Sequence, residues 1–404
     1  MQKRLPAVYM RGGTSKAVFF HDNHLPQDPA VRDRVILAAF GSPDPNRRQV
    51  DGMGGAISST SKVAIISRST DPEYDVVYNF GQVSIDRPIV DYMGNCGNIS
   101  SAVGPFAVDE GLVSVEEPVT TVRIFQKNTN TLIVAEVPVR DGRYNEDGDY
   151  VISGVPSPGG KIKLHFFNPG GAVTGRLFPT GNVIDSLDVP DLGNIRVTVI
   201  DAAHPLVLVA AQDLGLTGIE IEEIDNRADI RAGLEAIRSR VSVLLGCAAT
   251  PEEASLSCQT VPRIAFVSAP QPYTDLNGTQ IDPTRIDLVA RVISMGSLHK
   301  AFAVSSAVPA AGAARVKGTI VDEILGHGAL DKKDVRLGHP GGVIEVGTEF
   351  KRQGDDYIYA EAIIGRTARR LMEGYVLVPE KYFTSDPPYT AVTSAQAVPQ
   401  TDAD

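Results

Sequence analysis

The sequence contains few of the residues that define several common protein classes. Its 404 residues include no tryptophan and three cysteines, Cys96, Cys247 and Cys258. Three thiols are too few for a disulfide framework, and no cysteine or histidine cluster has the spacing of a zinc site. The composition therefore argues against a disulfide-rich secreted protein, and we expect a reducing compartment and no metal.

Positive charge and long apolar segments are also scarce. The formal net charge is −11, which disfavours nucleic acid as a partner because phosphate binding needs a basic surface. No apolar run reaches the length that spans a membrane, and the first residues lack the apolar core of a signal peptide. We therefore expect a cytoplasmic protein that acts without a membrane or a nucleic acid.

What the sequence does contain is a cysteine surrounded by glycines and asparagines. Cys96 lies in the run Gly94-Asn95-Cys96-Gly97-Asn98, directly before small apolar residues that predict a buried helix ending near residue 110. The first turn of a helix offers unpaired N–H groups to anions and lowers the pKa of a nearby thiol. For one cysteine taken alone, a structural role in a glycine-rich turn is the commoner outcome. Whether Cys96 is catalytic therefore depends on which other residues accompany it.

Two further polar stretches adjoin short apolar strands. Residues 11–16 separate a predicted strand at 7–10 from one at 17–20, and their glycines, hydroxyls and bases could hold an anion. Lys62 ends a stretch rich in glycine and hydroxyl side chains and precedes a buried strand at 63–66. A lysine at a strand end is usually solvated, but partial burial would lower its pKa and suit it to proton transfer.

The second half of the chain repeats the order of elements in the first. A strand, loop and strand at 197–209 correspond to those at residues 7–20, and a helix predicted at 230–245 corresponds to one predicted at 31–40. In this comparison Arg263 occupies the position of Lys62, and Met295 falls near that of Cys96. We therefore predict two domains and a disordered tail, at residues 1–188, 189–385 and 386–404.

An ordered set of motifs in both halves resembles one known family. The motifs are Met10-Arg11-Gly12-Gly13-Thr14-Ser15-Lys16, Asp51-Gly52-Met53-Gly54-Gly55, Ser58-Ser59-Thr60-Ser61-Lys62, Gly94-Asn95-Cys96-Gly97-Asn98, Phe178-Pro179-Thr180-Gly181-Asn182, and Ser294-Met295-Gly296 with Leu298-His299. They resemble the PrpF family of methylaconitate and related isomerases, in the diaminopimelate-epimerase-like superfamily. The resemblance implies an α/β (α+β) fold of two pseudo-symmetric domains, each a mostly antiparallel β-barrel around a central helix, with the site between them.

The resemblance also implies proton transfer without a cofactor. It carries Lys62 and Cys96 over as the catalytic pair. Epimerases of this fold use two facing cysteines, whereas the second position here looks like Met295, which cannot transfer a proton. The expected reaction is a 1,3-allylic proton shift, or a cis–trans change, in an unsaturated di- or tricarboxylate such as aconitate or 2-methylaconitate. Which group is base and which is acid stays open.

We expect donors around this pair to contact the substrate carboxylates. The expected contacts are Arg11, Gly13, Thr14, Ser15, Ser61, Asn95, Gly97, Asn98, Thr180, Ser294, Met295, Gly296, Ser297 and His299. Arg366 is a weaker candidate, because Arg366, Arg369 and Arg370 could simply cover a helix surface. Ser297 departs from the family pattern, since some methylaconitate isomerases place a basic residue there, and Lys300 could replace that contact.

Several alternatives stay open. 4-Oxalomesaconate and methylitaconate are alternative substrates. A racemase or epimerase would need a second thiol facing Cys96, and a non-catalytic carboxylate-binding protein would not need Lys62 and Cys96 together. The sequence does not determine the oligomeric state, for which a homodimer is one option.

Overall fold

The computed structural model describes residues 1–294, 296–326, 332–354 and 356–384. The tail predicted to be disordered, residues 386–404, lies outside these ranges, as does Met295.

The first part of the chain forms strands around one buried helix. Its elements are β1 (Gln2–Gly12), β2 (Ser15–His21), α1 (Pro29–Phe40), β3 (Lys62–Arg68), β4 (Val76–Val83), β5 (Val90–Asp91), α2 (Gly97–Asp109), β6 (Val119–Gln126), β7 (Thr131–Arg140), β8 (Arg143–Tyr144) and β9 (Ile162–Phe167). The predicted strands at 7–10, 17–20 and 63–66 are confirmed, with their ends extended by a few residues. Both predicted helices are confirmed as well: α1 begins two residues earlier than predicted, and α2 ends at Asp109.

Local sequence explains where α1 begins and ends. The side chain of Asp28 accepts a hydrogen bond from the backbone N–H of Val31, and Pro29 occupies the first helical position, where its missing N–H costs nothing. Gly41 ends the helix with a φ of 69°, in the left-handed region that glycine adopts without a steric penalty.

The rest of the chain repeats this arrangement and then adds a last strand. Its elements are β10 (Asp185–Val189), β11 (Gly193–Asp201), β12 (Pro205–Ala210), α3 (Glu222–Asn226), α4 (Ala228–Leu244), α5 (Pro251–Ser257), β13 (Arg263–Ser268), β14 (Tyr273–Thr274), β15 (Gln280–Ile281), β16 (Leu288–Ser294), β17 (Ser297–Leu298), α6 (Val304–Ala314), α7 (Ile320–Ile324), β18 (Asp334–His339), β19 (Gly342–Gln353), β20 (Asp356–Arg366) and β21 (Ala368–Pro379). The helix predicted at 230–245 is α4.

One continuous, mostly antiparallel sheet joins both halves. Its order is β21-β1-β2-β3-β4-β6-β7-β9 in the first half and β10-β11-β12-β13-β16-β18-β19-β20 in the second, with β9 paired to β20 at the junction. The parallel pairs fall at matching places, β2 with β3 and β4 with β6, then β12 with β13 and β16 with β18. The repeated order of elements is therefore also a repeated topology.

The strand pairing bears on where the two halves divide. Residue 188 lies inside β10, which pairs with β11 of the second half, whereas β21, near the end of the chain, pairs with β1 of the first. The division into residues 1–188 and 189–385 stays a prediction. Hydrogen bonding groups β10 with the strands of the second half and β21 with the beginning of the chain.

Each half wraps its strands around a central helix. Every residue of α2 from Gly97 to Val108 is buried, and so is every residue of α6. Strands β1, β2, β6, β7, β9 and β21 contact α2, while β11, β12, β18, β19 and β20 contact α6. A fully buried large apolar side chain such as Phe106 of α2 contributes roughly 1.5–3 kcal/mol. The predicted class, α+β with mostly antiparallel strands around central helices, is confirmed.

The arginines near the end of the chain lie on strands. Arg366 ends β20 and is buried, while Arg369 and Arg370 belong to β21. The interpretation that they cover a helix surface is therefore wrong. The apolar residues after them alternate, with Val376 and Val378 buried and Leu377 exposed, which is the period of a strand.

Candidate active site

The two central helices meet with their N-termini facing each other. Cys96 is the N-cap residue of α2, and Ala303 is the N-cap residue of α6. A Cβ on Gly97 would lie 2.4 Å from Cγ1 of Val304, so glycine is required for this close approach. Because the N-terminus of a helix carries a partial positive charge, two such ends converge on the cavity beside Cys96 and favour an anionic ligand.

This geometry corrects the sequence comparison between the halves. That comparison matches residues 293–299 to the start of α2, which puts Met295 near the position of Cys96. Instead Ser294 pairs with Ser297 in the β16–β17 hairpin, and α6 begins at Val304. The residue that corresponds to Cys96 is therefore Ala303, which carries no group able to transfer a proton.

Lys62 begins β3 and points into the same cavity. Its side chain is buried, its Nζ donates to Oε1 of Gln82 over 2.5 Å, and Nζ lies 5.1 Å from the ring centroid of Phe80. Burial lowers the pKa of Lys62. The hydrogen-bonded thiol of Cys96 acts in the opposite direction, and the positive charge of Arg263 lowers it further. Lys62 and Cys96 thus line the same cavity, and the amine is held closer to neutrality than in water.

Arg263 is a cavity residue that the sequence analysis does not count among the expected contacts. It begins β13, the counterpart of β3, and its Nη1 donates to Oγ of Ser305 over 2.5 Å and to Oγ of Ser306 over 3.4 Å. Its Nε is buried without a hydrogen-bond partner among the described residues. An unpaired guanidinium N–H beside a reactive pair is a donor suited to a substrate carboxylate. The sequence does carry the signal, since Arg263 aligns with Lys62.

Two histidines complete the cavity from the second half. Nδ1 of His299 accepts from the N–H of Ala301, which leaves Nε2–H as the donor of the neutral ring. His204 bonds through Nε2 to the carbonyl of Thr260 over 2.6 Å, so its Nδ1 is an acceptor without a partner among the described residues. Burial lowers the pKa of His204 to about 3 and that of His299 to about 4. Both rings are therefore neutral near pH 7.

The β1–β2 loop closes over the start of α2. Gly13 has a φ of 52°, and a Cβ there would lie 2.3 Å from Oδ1 of Asn98, so this position needs glycine for both reasons. Nδ2 of Asn98 donates to Oγ1 of Thr14 over 3.1 Å. Oδ1 of Asn98 has no hydrogen-bond partner within the part of the chain that the structure describes.

Most of the predicted contacts come together at this place. The inner cavity is lined by Ser15, Lys62, Asn95, Cys96, Gly97, Asn98, Ser294 and His299, together with residues that were not predicted: Ser58, Ser59, Phe80, Gln82, Asp91, Gly94, His204, Thr260, Arg263, Ala303, Val304 and Ser305. A vestibule of roughly 500 Å³ adjoins it and is lined by Thr14, Ser297 and Lys300 among others. Lys300, which was predicted to replace the contact of a basic residue at position 297, thus lies in the same vestibule as Ser297.

Several predicted contacts lie outside the lining that the described residues form. Nη1 of Arg11 donates to the carbonyls of Gly13 and Thr367, so this guanidinium braces the β1–β2 loop. Oγ of Ser61 donates to Gln49, and Oγ1 of Thr180 donates to Asp185. Gly13 and Gly296 provide turns with positive φ and no side chain.

Comparison with known proteins identifies the family. Strands wrap around a buried central helix in each half, and the family described as PrpF protein matches residues 2–379. The chain is 47% identical to the 3-methylitaconate isomerase of Eubacterium barkeri over 93% of its length and 98% of that protein's. It is 42% identical to the 2-methyl-aconitate isomerase of Shewanella oneidensis, over 94% and 98% of the two chains.

A solved structure agrees with this assignment. The crystal structure of methylitaconate-delta-isomerase superposes with a TM-score of 0.78 at 45% identity, covering 97% of this chain and 100% of that one. The chain belongs to the PrpF family.

The described residues contain neither a cluster of side chains that could hold a metal ion nor a helix that could span a membrane. These residues contain no group of three or more His, Cys, Asp or Glu side chains arranged to hold a metal ion. Nor do they include a helix whose length and apolarity would let it cross a membrane.

Proposed function

We propose that this PrpF-family protein is an isomerase that moves a carbon–carbon double bond by a 1,3-allylic proton shift, or changes its cis–trans geometry through one. The proposed substrates are unsaturated di- or tricarboxylates such as aconitate, 2-methylaconitate or 3-methylitaconate. The observation that carries the proposal is that the buried Lys62 and Cys96 line one cavity together with Arg263. The names of the relatives support the same reaction class.

In the proposed mechanism Lys62 and Cys96 exchange protons with two carbons of an allyl system. One group removes the proton from the carbon next to both the alkene and a carboxylate, and the electron pair spreads into a dienolate. The other group donates a proton to the far carbon, which moves the double bond without any net gain of protons or electrons. Each positioned acid or base contributes about 10²–10⁴-fold to the rate.

The remaining charge of the substrate is matched by donors from both halves. The N-termini of α2 and α6 face the cavity, Arg263 has an Nε–H without a partner among the described residues, and His299 has an available Nε2–H. Donors placed where charge develops contribute on the order of 3 kcal/mol each to the stabilisation of such a transition state. We propose that they hold the dienolate oxygens and the spectator carboxylates.

The competing reaction classes fit this cavity less well. An epimerase with two thiols would need a sulfur near Ala303, and neither Cys247 nor Cys258 lines the cavity formed by the described residues. A protein that only binds carboxylates would gain nothing from a buried lysine and a thiol in one cavity. 4-Oxalomesaconate remains an alternative substrate because it has the same unsaturated polycarboxylate character.

Solvent exchange tests the reaction directly. The protein is incubated in deuterated water with trans-aconitate, 2-methylaconitate, 3-methylitaconate and 4-oxalomesaconate, and proton NMR follows deuterium uptake and double-bond migration. We expect exchange with at least one acid, and the acid with the highest kcat/KM identifies the substrate. Absence of exchange with all four would overturn the isomerase proposal in favour of carboxylate binding alone.

Substitutions test the assigned pair. Lys62→Met and Cys96→Ser should each lower the exchange rate by about 10²–10⁴-fold, while the melting temperature stays close to that of the wild type. Cys247→Ser is the matched control, because it removes a thiol outside the cavity, and it should retain full exchange. Full activity in either cavity variant would remove that residue from the mechanism.

Two further proposals concern the location of the protein in the cell and its oligomeric state. A cytoplasmic location is supported by the three unpaired cysteines, which suit a reducing compartment. We also propose a homodimer, which light scattering of the full chain tests.

A further inference from the structure

We infer that Gln82 is a positioning residue whose amide aims the Lys62 amine into the cavity and, being uncharged, leaves that amine free to lose its proton. This inference rests on the proposed function, since it concerns the same lysine. The role requires an amide: an apolar side chain would not orient the amine, and a carboxylate would hold it as an ammonium.

Strand pairing brings the two side chains together. Lys62 of β3 and Gln82 of β4 are direct partners in the antiparallel register, and both are buried. Nζ of Lys62 donates to Oε1 of Gln82 over 2.5 Å. The first residue of β3 is thereby fixed by a residue on the neighbouring strand rather than by a flexible loop.

The other end of the amide determines which atom faces the lysine. Nε2 of Gln82 donates to the carbonyl of Ser58 over 3.1 Å and to that of Ser61 over 2.9 Å. A flipped amide would place its oxygen against two carbonyl acceptors and its N–H₂ against the lysine. Oε1 is therefore the atom that faces Nζ, and both amide protons are used in keeping it there.

The charged and titratable groups around Lys62 explain why neutrality matters. Cys96 at the start of α2, Arg263 on β13 and His299 after β17 face it, and Phe80 of β4 covers it. Asp91 of β5, the strand partner of Gln82, and His204 line the same cavity. Arg263 disfavours a second positive charge. A carboxylate beside the amine would attract a proton strongly, whereas an amide oxygen accepts a hydrogen bond without adding a charge.

Charge substitution at this position separates an electrostatic role from a merely structural one. The pKa of Lys62 is read from the NMR signal of its labelled ε-carbon in the full, unliganded chain, with Lys62→Met used to assign the resonance. We expect Gln82→Glu to raise that pKa by about 1–3 units and to move the pH profile of exchange upward by the same amount. Gln82→Met should act in the opposite direction, because it removes a hydrogen bond that favours the charged amine.

A second buried amide supplies the matched control. Gln126 on β6 is buried, and its amide contacts Asn128 and Thr129 rather than Lys62. Gln126→Glu adds the same charge to the same sheet and should leave the titration of Lys62 within about half a unit, since the charge is not in contact with the amine.

The outcomes are distinct. The inference is overturned if the pKa of Lys62 is unchanged in folded Gln82→Glu or does not fall in Gln82→Met. It is also overturned if a variant loses the same fraction of activity at every pH while the titration of Lys62 stays the same. If Gln82→Glu does not fold, the Gln82→Met titration alone decides. The titration needs no turnover, so wild-type protein that exchanges no acid overturns the proposed function and leaves this inference to be judged on the titration.

Discussion

The two halves of the molecule place different chemistry at the same structural positions. In the first half β3 begins with Lys62 and α2 follows Cys96, whereas in the second β13 begins with Arg263 and α6 follows Ala303. Lysine and cysteine can exchange protons, but a guanidinium stays charged in proteins. Under the proposed function this difference corresponds to a division of labour, in which one half transfers the proton and the other binds the negative charge.

The largest expected effect comes from making the first half resemble the second. Lys62→Arg keeps the positive charge but removes a group that can become neutral, so kcat should fall by about 10²–10⁴-fold. Steady-state kinetics on the acid identified by the exchange experiment measures this.

The reverse substitution is its matched partner. Arg263→Lys keeps the positive charge but removes the planar guanidinium group, whose Nη1 donates to Ser305 and Ser306. It also removes the Nε–H, which has no partner among the described residues and is available to a substrate carboxylate. We expect KM to rise by roughly 10–100-fold, from the loss of about 1.5–3 kcal/mol of charge-assisted hydrogen bonding, with a smaller change in kcat. A Lys62→Arg variant that keeps its kcat, or an Arg263→Lys variant that loses only kcat, would contradict the division of labour.

A smaller effect is expected where the two halves touch. Helix α2 begins with Gly97 and α6 with Val304, and a methyl group on Gly97 would overlap the valine. Gly97→Ala should lower the free energy of unfolding by about 1–3 kcal/mol. Chemical denaturation measures this, and Gly97→Ala combined with Val304→Ala should recover part of the loss. An equal loss in the single and double variants would show that this contact is not what requires glycine.

The smallest effect is a pH dependence that arises from the second half. The pKa of buried His204 is about 3 in the folded state, compared with about 6.5 for an unfolded histidine. Below about pH 6.5 the unfolded chain therefore binds more protons, and the free energy of unfolding falls as the pH is lowered, by up to roughly 1.4 kcal/mol per pH unit. His204→Gln should flatten this slope between about pH 6 and pH 5 in denaturation experiments. An identical slope in wild type and variant would mean that His204 is not buried as a neutral ring.

Much of the fold could be predicted because its periodic segments are clear. The strand, loop and strand around Gly13, and helices α1 and α4, are expected directly from apolar patterning and end signals. The start of α6 was missed because the β16–β17 hairpin and the chain after it separate Ser294 from Val304. The repeat of Ser100-Ser101-Ala102-Val103 as Ser305-Ser306-Ala307-Val308 would have located helix α6, although its offset differs by two residues from the one that matches the N-cap residues Cys96 and Ala303.

The candidate site was predicted in part for a similar reason. Local motifs located Lys62 and Cys96, because each lies where a polar stretch meets a buried element. They could not show that Arg11 bonds carbonyls of its own loop and Thr367, or that the Nε of Arg263 has no partner among the described residues. Both facts depend on contacts across the sheet and between the halves, which composition and spacing do not encode.

The pairing of β21 with β1 has a consequence for how the protein is made. A ribosome synthesises β1 first, yet its partner, Ala368 to Pro379, leaves the exit tunnel only after the whole second half has been translated. Until then the edge of β1 that faces away from β2 presents unpaired N–H and C=O groups that other nascent chains could capture. The half that contains Lys62 and Cys96 is therefore begun first and completed last, and its protection during translation depends on the strand furthest from it in sequence.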